Sequence, residues 1–453
     1  MNRTHAETIA AWLAASRVED VPTGAREMAR KLFLDVSGLC IAARREPYVA
    51  ATLHAVDRGG CTALGHTGGF DPFGAALVNG TAAHGEDFDD TFEGGPVHSG
   101  AVIVPAVLAA CERDGLGGES LLAGIVTGTE LLCRLSLVAP KATHKAGFHP
   151  TAVFGALAAA GAVGVALRLP PEAIVSALGI AGSMASGIIE YLAEGTWTKR
   201  MHAGWAAQSG LRAALMARGG FLGPRTVLEG THGFFHAFAP SVVPDFGHLL
   251  DGLGRTWLME TIAFKPYACG TMTQPFIDCA IELAREGARA EDITGIVCEV
   301  AEGTVHRLWE PLSDKQRPPT PYAAKFSTPF CMAVAFVDRK AGFAQFTETR
   351  IQDPNVRALA AKIRYVINPK DDYPRNYSGH LRVTFADGRQ REFRQRFMRG
   401  GTHAPLSKAE VEAKFMDNAL SGGWSRGSGE QLQRLSYDVF ARPTLAALSE
   451  FRS

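Results

Sequence analysis

The densest group of side chains that could carry acid–base chemistry lies between Asn79 and Pro105. Within about fifteen residues this stretch holds two imidazoles and five carboxyl groups: His84, Glu86, Asp87, Asp89, Asp90, Glu93 and His98. Apolar segments flank the stretch, and burying charge between them costs free energy unless the charges are paired, hydrated or used. Carboxyl and imidazole groups in such surroundings acquire shifted pKa values, which general acid–base catalysis requires. The stretch is therefore the first candidate for a functional site.

The string Asp87-Phe88-Asp89-Asp90 has several interpretations. It suits a helix cap with a solvated acidic turn, a proton-donating aspartate of the terpene-cyclase kind, or a Mg²⁺ site for diphosphates. A second acidic cluster, which a diphosphate substrate would favour, is missing from the sequence. His84, Asp87 and His98 have the residue types of a zinc site, but a loop separates the two histidines. We therefore expect no metal.

Two histidines come directly before predicted helices. His98 lies in G-G-P-V-H-S-G, ahead of a helix that begins near Ala101, and His149 lies in G-F-H-P-T, ahead of a helix over 151–167. Either histidine alone suits a structural residue that bonds to a backbone group. Helix N-termini favour anions, so the two together indicate a site that a carboxylate substrate could bridge.

Basic side chains follow in T-W-T-K-R-M-H-A-G, where Lys199 and Arg200 stand between two helical segments. They form either an exposed basic loop or a clamp for carboxylates, because the arginine fork matches a carboxylate and lysine supplies a point charge. A third segment, K-P-Y-A-C-G from Lys265 to Gly270, is a candidate hinge or domain-border strand. Its Cys269 is interpreted as a buried thiol.

The elements that must position these groups are mostly helices. Helical spacing of apolar residues dominates 1–264, and the abundance of Ala and Gly predicts closely packed helices. From 265 to 399 helices alternate with strands over 293–301, 363–367, 380–385 and 390–397, which indicates a smaller α+β domain. Residues 400–453 return to helix. The predicted fold is mainly α, with an all-α domain of residues 1–264 and 400–453 and an inserted α+β domain of 265–399.

Composition excludes several classes of function. Lys and Arg balance Asp and Glu at 46 each, so nothing favours nucleic acid or an anionic membrane surface. The eight cysteines form no C-x-x-C pair and are typical of reduced thiols in a cytoplasmic protein. The N-terminus has no long apolar segment, which argues against a signal peptide. The uncharged run 151–167 is rich in Ala and Gly, and we interpret it as a buried helix rather than a membrane span.

With these segments placed, the chain resembles the MmgE/PrpD family, which includes 2-methylcitrate dehydratase, cis-aconitate decarboxylase and iminodisuccinate epimerase. The markers are A-A-L-V-N-G-T-A-A-H-G-E-D-F-D-D-T, P-V-H-S-G-A-V-I-V-P-A, G-F-H-P-T-A-V-F-G, T-K-R-M-H-A-G-W-A-A, F-K-P-Y-A-C and a C-terminal K-F. The resemblance implies a large all-α domain with a smaller α+β domain, a homodimer, a site at the domain border, and neither metal nor organic cofactor.

The resemblance also implies a set of site residues. The catalytic residues that it carries over are Asp90, His98, His149 and Lys199. Arg200, Lys265, Tyr267 and Gln274 are expected to bind substrate. Gln274 stands where the decarboxylase branch has a histidine, and an amide can hold a substrate oxygen but cannot shuttle a proton near neutral pH.

These residues predict a cofactor-independent enzyme that acts α to a carboxylate of a small di- or tricarboxylic acid. A dehydratase-type lyase uses two histidines naturally, one to take a proton and one to protonate the departing hydroxyl. An epimerase or isomerase, or a decarboxylase, on a similar polycarboxylate is the alternative within the same chemistry. A non-catalytic metabolite-binding protein is the alternative of another class.

Overall fold

The computed structural model of the protein describes residues 3–95 and 97–452, so Pro96, which opens the P-V-H-S-G marker, lies outside the described residues. The α-helices are, in chain order, α1 His5–Ala15, α2 Thr23–Ala43, α3 Pro47–Leu53, α4 Pro72–His84, α5 Gly100–Asp114, α6 Gly118–Val138, α7 Ala142–Lys145, α8 Pro150–Ala166, α9 Pro171–Met184, α10 Tyr191–Glu194, α11 Thr198–Arg218, α12 Phe234–Phe238, α13 Gly247–Leu250, α14 Gln274–Arg285, α15 Glu302–Leu308, α16 Leu312–Gln316, α17 Pro321–Ala324, α18 Thr328–Asp338, α19 Glu348–Ile351, α20 Pro354–Ala360, α21 Lys408–Ser421 and α22 Arg426–Asp438. The strands are β1 Arg58–Thr62, β2 Gly69–Phe70, β3 Thr91–Phe92, β4 Ile262–Ala263, β5 Ile293–Val300, β6 Ile363–Ile367, β7 Gly379–Phe385 and β8 Gln390–Gln395. The predicted mainly α class is confirmed.

The chain divides into two compact units. The first, the helical unit, comprises Met1–Gly85, Asp89–Ile262 and Lys408–Ser453, and the second, the sheet unit, comprises Glu86–Phe88 and Ala263–Ser407. The units divide at 262/263 and 407/408, two and eight residues from the predicted boundaries at 264/265 and 399/400. The three-residue excursion at Glu86–Phe88 was not predicted, because a segment so short has no compositional signature of its own.

The core of the helical unit is built from small residues. Helix α8 is buried on every side, as a helix that is apolar all round must be. Helices α4 and α11 cross at Gly80 and Gly204, where a Cβ on Gly80 would lie 2.5 Å from the Cα of Gly204. Backbone therefore packs on backbone at this crossing, as the abundance of Ala and Gly predicted.

One helix of the described chain has the length and hydropathy to cross a membrane. It is α6, Gly118–Val138, and 89% of its most apolar stretch is buried inside the protein. Glu130 and Arg134 form an ion pair of 2.6 Å on this helix, with both side chains buried. These observations are those expected of α6 as a core helix of the helical unit.

Helix α21 closes the helical unit against α2. The ammonium of Lys414 lies 2.7 Å from the carboxylate of Asp35, and both side chains are buried. A Cβ on Gly38 of α2 would lie 2.9 Å from the ring of Phe415, so the two helices are in close contact. The C-terminal K-F marker thus lies in this interface.

The sheet unit contains a four-stranded sheet in the order β6-β5-β7-β8. Strand β5 is parallel to β6 and antiparallel to β7, and β7 is antiparallel to β8. The strand predicted over 293–301 is confirmed as β5, and its alternate residues Ile296, Cys298 and Val300 are buried. Helices α17 and α18 are separate, because the Ser327 hydroxyl caps α18 by accepting from the Phe330 N–H.

Candidate active site

Four imidazoles lie together in the helical unit. The ring centroid of His84 is 4.9 Å from that of His98 and 5.4 Å from that of His149. The centroid of His202 is 5.3 Å from that of His149. All four side chains are buried. His98 and His149 were predicted to be catalytic, and the fold brings His84 and His202 to them.

His84 is the last residue of α4 and is held by Asp89. Its Nδ1 is 2.6 Å from Oδ2 of Asp89, and its Nε2 is buried without a hydrogen-bond partner among the residues that the structure describes. Because an ionised carboxylate only accepts hydrogen bonds, Nδ1 carries the proton in this contact. The Nε2 lone pair of a neutral His84 is therefore left unpaired.

His98 bonds to the main chain. Its Nδ1 lies 2.7 Å from the carbonyl oxygen of Asp90 and 3.4 Å from Oδ1 of Asp89. A carbonyl oxygen can only accept, so Nδ1 of His98 donates and Nε2 carries the lone pair when the ring is neutral. The carboxylate of Asp89 stabilises the imidazolium form of the same ring. Nε2 is therefore the nitrogen of His98 that the main-chain bond leaves unused.

The carboxyl group of Asp90 contacts the beginning of α5. It accepts hydrogen bonds from the Ser99 N–H at 3.0 Å, the Ser99 hydroxyl at 2.9 Å and the Gly100 N–H at 2.9 Å. Burial and the charge of Asp89 raise the pKa of Asp90 to about 7, against the lowering effect of the Ser99 hydrogen bond. A Cβ at position 100 would lie 2.5 Å from Oδ1, so glycine is required there.

The carboxylate of Asp90, which the resemblance carries over as catalytic, caps a helix here. Only its main-chain oxygen reaches His98. The carboxylate that faces the imidazoles is that of Asp89. A catalytic role for Asp90 stays a prediction, as do such roles for His98, His149 and Lys199.

His149 is the residue that precedes α8, with Pro150 in the first helical position. Its main-chain N–H donates to the Gly187 carbonyl at 2.8 Å, and its Nδ1 lies 3.2 Å from Nδ1 of His202 on α11. Burial, followed by the neighbouring charges of His84 and Lys199, lowers the pKa of His149 well below its usual value. Burial, His84 and Lys199 likewise lower the pKa of His202 to about 3. Both rings are therefore neutral near pH 7.

Lys199 and Arg200 lie in the first turn of α11 and point in different directions, since consecutive helical residues do not share a face. Lys199 and His202 are three residues apart and do share one. Arg200 is buried, and its guanidinium carbon lies 4.3 Å from the ring centre of Tyr48. Of the two arrangements left open by the sequence, an exposed basic loop or a carboxylate clamp, neither describes this pair: Lys199 lies beside the histidines, and Arg200 is buried against an aromatic ring.

In the sheet unit, Lys265 is buried and holds the turn residue Asp87. Its ammonium lies 2.9 Å from both Oδ1 and the main-chain oxygen of Asp87, whose φ of 56° is in the left-handed region. This pair offsets the strain that an aspartate meets in that conformation. Lys325 forms a second buried ion pair, 3.0 Å from Glu86.

Tyr267 and Gln274 also lie buried in the sheet unit. The Tyr267 hydroxyl donates to Asp278 at 2.6 Å and accepts from Arg399 at 3.1 Å, while burial and the charge of Asp278 raise its pKa. The Gln274 amide nitrogen donates to the carbonyls of Tyr267 and Cys269, both at 3.2 Å. Its Oε1 is buried, and no described residue forms a hydrogen bond with it. Substrate binding by Lys265, Tyr267 and Gln274 stays a prediction.

Comparison with known families covers both parts of the chain. Residues 7–246 match the MmgE/PrpD N-terminal domain, and residues 267–426 match the MmgE/PrpD C-terminal domain. The chain belongs to the MmgE/PrpD family. The resemblance predicted from the sequence motifs is thereby confirmed, and the four histidines all fall within the N-terminal match.

Three similar proteins carry names that refer to cis-aconitate decarboxylation. A cis-aconitate decarboxylase of Aspergillus terreus (strain NIH 2624 / FGSC A1156) is 30% identical over 407 residues, which cover 83% of this chain and 81% of that protein. The cis-aconitate decarboxylase of Homo sapiens is 30% identical over 365 residues, 77% of this chain and 73% of the human protein. The cis-aconitate decarboxylase-like protein oryM of Aspergillus oryzae (strain ATCC 42149 / RIB 40) is 27% identical over an alignment 466 residues long, which covers 97% of this chain and 94% of that protein.

Within this MmgE/PrpD chain, the described residues include one group that could hold a metal ion. It consists of His84, Asp89 and His98, with one ligand atom from each lying within 4.8 Å of the others. As the side chains stand, Nδ1 of His84 is bonded to Asp89 and Nδ1 of His98 to the Asp90 carbonyl. An ion on these two Nδ1 atoms would therefore have to displace both protons, whereas the Nε2 atoms are not used in these bonds.

Three residues of this family member's candidate site were not predicted as site residues: His84, His202 and the neighbouring Asp89. A signal for His202 exists in the K-x-x-H spacing, which places it one helical turn after Lys199. For His84 and Asp89 no such local signal exists, because five carboxyl groups and two histidines compete for partners in the same stretch.

Proposed function

We propose that this protein is a lyase of the dehydratase type, which acts without metal or organic cofactor on a small di- or tricarboxylic acid. The observation that carries the proposal is the neutral, buried imidazole of His149 next to the positive charge of Lys199. A neutral imidazole can take a proton from the carbon α to a carboxylate. A neighbouring ammonium stabilises the negative charge that then develops on that carboxylate.

In the proposed reaction Lys199 binds the substrate carboxylate and His149 removes the α-proton. The electron pair passes to the carboxylate as an enediolate and returns to form the double bond. His98, whose imidazolium form Asp89 stabilises, then protonates the β-hydroxyl as it leaves as water. The ring centres of His98 and His149 lie 6.4 Å apart, so one chain supplies a base and an acid at separate points.

Decarboxylation is the second candidate, and the relatives named as cis-aconitate decarboxylases favour it. In that case a substrate carboxylate leaves as CO₂, Lys199 stabilises the resulting carbanion through a remaining carboxylate, and His98 delivers the proton. Reprotonation on the opposite face without loss of any group would instead be epimerisation. We retain Asp90 as a proposed member of the catalytic set, and Arg200, Lys265, Tyr267 and Gln274 as proposed substrate contacts.

One experiment separates these reactions. The metal-stripped enzyme is incubated in D₂O with citrate-, aconitate-, malate- and iminodisuccinate-type acids, and products are followed by NMR and mass spectrometry. An alkene formed with loss of water supports dehydration. Release of CO₂ supports decarboxylation, and deuterium at Cα without net product supports epimerisation. Absence of both exchange and turnover on every acid would contradict a catalytic function and favour a metabolite-binding protein.

We also propose that the protein is a homodimer. On α11 and the residue before it, Trp197, Met201 and Trp205 recur every four residues with 49%, 38% and 40% of their surface exposed. An exposed apolar stripe of this kind on a helix is typical of a protein interface. Light scattering of the wild type and of Trp205→Glu tests this proposal, with a dimer expected for the first and a monomer for the second.

A further inference from the structure

The contact between His149 and His202 joins two nitrogens of the same kind. Their Nδ1 atoms lie 3.2 Å apart, and the side chains are 5% and 3% exposed. A neutral imidazole has one N–H and one lone pair, so a hydrogen bond between two Nδ1 atoms requires one of them to be protonated and the other not. The bond therefore has two possible directions, and they differ chemically.

Each direction dictates the state of His149 at its other nitrogen. If Nδ1 of His149 donates, its Nε2 has a lone pair and can act as a base. If Nδ1 of His202 donates, Nε2 of His149 carries the hydrogen and cannot take up a proton. The proton between the two rings thus decides which chemistry His149 can perform.

The surroundings hold both rings in place and keep them neutral. The ring of Tyr191 lies edge-on to His149 and to His202, with centroids 6.4 Å and 5.8 Å away. The groups that face the pair are His84, His98, Tyr191 and Lys199, and Lys199 adds positive charge. A second proton on either ring is therefore unfavourable in the absence of substrate.

We propose that His202 is a positioning residue that accepts the Nδ1–H of His149 and thereby keeps Nε2 of His149 free to act as the base. The inference rests on the proposed function, in which His149 removes a proton. Once Nε2 has taken that proton, the Nδ1–H···Nδ1 bond to His202 becomes charge-assisted and stabilises the imidazolium. In the opposite direction Nδ1 of His202 is the donor and Nε2 of His149 already carries its hydrogen, so His149 could not remove the substrate proton.

The direction of the bond can be measured without substrate. Two-bond ¹H–¹⁵N correlation spectra of ¹⁵N-histidine-labelled protein distinguish protonated from unprotonated ring nitrogens, and the His149 signals are assigned by their loss in His149→Gln. We expect Nδ1 of His149 to be protonated and Nε2 unprotonated. A protonated Nε2 at neutral pH would overturn the inference even if the enzyme proved active, whereas failure of the proposed function would appear only in the turnover assays.

Substitution of His202 tests the consequence. His202→Phe removes the acceptor, and we expect kcat to fall about 10–100-fold, the usual effect of losing a group that orients a histidine, with KM within about twofold of wild type. His202→Asn restores an acceptor oxygen and should recover most of kcat. His66→Phe is the matched control, since His66 is another histidine of the helical unit whose pKa burial lowers, to about 4.

The ¹H–¹⁵N spectra of the His202 variants report directly on the tautomer of His149. In His202→Phe the His149 signals should lose the single-tautomer pattern, and in His202→Asn they should keep it. Wild-type kcat together with an unchanged tautomer in His202→Phe would overturn the inference. If His202→Phe does not fold, by circular dichroism, His202→Asn and the wild-type spectrum still give the answer.

Discussion

Asp89 lies between two imidazoles, with Oδ2 2.6 Å from Nδ1 of His84 and Oδ1 3.4 Å from Nδ1 of His98. A single buried carboxylate thus fixes the ring orientation of one histidine and supports positive charge on another. The carboxylate of the adjacent Asp90 instead accepts hydrogen bonds from Ser99 and Gly100 at the start of α5, so of the two aspartates only Asp89 contacts the imidazoles through its side chain.

Replacement of Asp89 by Asn should lower kcat about 10–100-fold, because the amide carries no charge to support the imidazolium of His98 and turns an N–H₂ toward one of two N–H donors. Steady-state turnover of the acid identified in the D₂O panel measures the effect. Asp20→Asn, at an exposed position of the same unit, is the control and should match wild type. Unchanged kcat in Asp89→Asn would show that the carboxylate has no part in turnover.

Asp90→Ala should act mainly on stability. It leaves the Ser99 N–H, the Ser99 hydroxyl and the Gly100 N–H buried without their acceptor, and we expect the free energy of unfolding to fall by about 2–4 kcal/mol. Ser99→Ala removes only the hydroxyl and should cost about 1 kcal/mol. Urea unfolding gives both values. Equal and small losses in the two variants would contradict the capping role.

His202 should make the protein less stable as the pH falls. Its pKa is lowered from 6.5 to about 3 by burial, His84 and Lys199, so between these values the unfolded chain binds a proton that the folded chain does not. The contribution is complete above pH 6.5 and is lost as the pH falls toward 3. The slope of unfolding free energy against pH should be lower in His202→Asn by at most ~1.4 kcal/mol per pH unit. Identical slopes would mean that His202 titrates alike in both states.

Lys199→Met removes the charge but retains most of the side-chain length. We expect kcat/KM to fall at least about 100-fold, since a buried or partly buried cation that stabilises developing charge contributes on the order of 3 kcal/mol to the barrier. Lys370→Met, at an exposed position, provides the control. Turnover of Lys199→Met near the wild-type rate would place the substrate carboxylate elsewhere.

Removal of metal should leave activity unchanged. Dialysis against a chelator, with metal content followed by elemental analysis, tests this expectation at His84, Asp89 and His98, the group with suitable ligand types. The Nδ1 atoms of His84 and His98 already form hydrogen bonds to Asp89 and to the Asp90 carbonyl, so both rings are held in place without an ion. Loss of turnover that one added divalent ion restores would contradict a cofactor-independent mechanism.

Local patterns were enough to predict part of this arrangement. His98 and His149 could be placed before helices because Pro150 and the small-residue runs after them are strong helix-start signals. The alternation around Ile296 and the Gly388 turn likewise identified β5 and the β7–β8 hairpin, where Gly388 has a φ of 84°. These features depend on neighbours within a few residues, which is why sequence alone sufficed.

The remainder depends on tertiary packing. His84, His149 and His202 meet because α4, α8 and α11 converge, and nothing in their sequence distances of 65 and 53 residues indicates it. Asp89 and Asp90 are adjacent and chemically identical, so the turn before β3 decides which carboxylate faces the imidazoles. The pairing of the short strands β1 and β2 was not predicted, because the two glycines after Arg58 have no side chains that could show the alternation of a strand.

The crossing of α4 and α11 at Gly80 and Gly204 has a consequence for redesign. Since no side chain separates the two backbones, no exchange of one residue for a smaller one can bring the helices closer, and any larger residue forces them apart. The distance between the end of α4 and the start of α11 is thus fixed by this contact. Variants selected to accept longer or shorter acids should retain both glycines and collect their substitutions elsewhere.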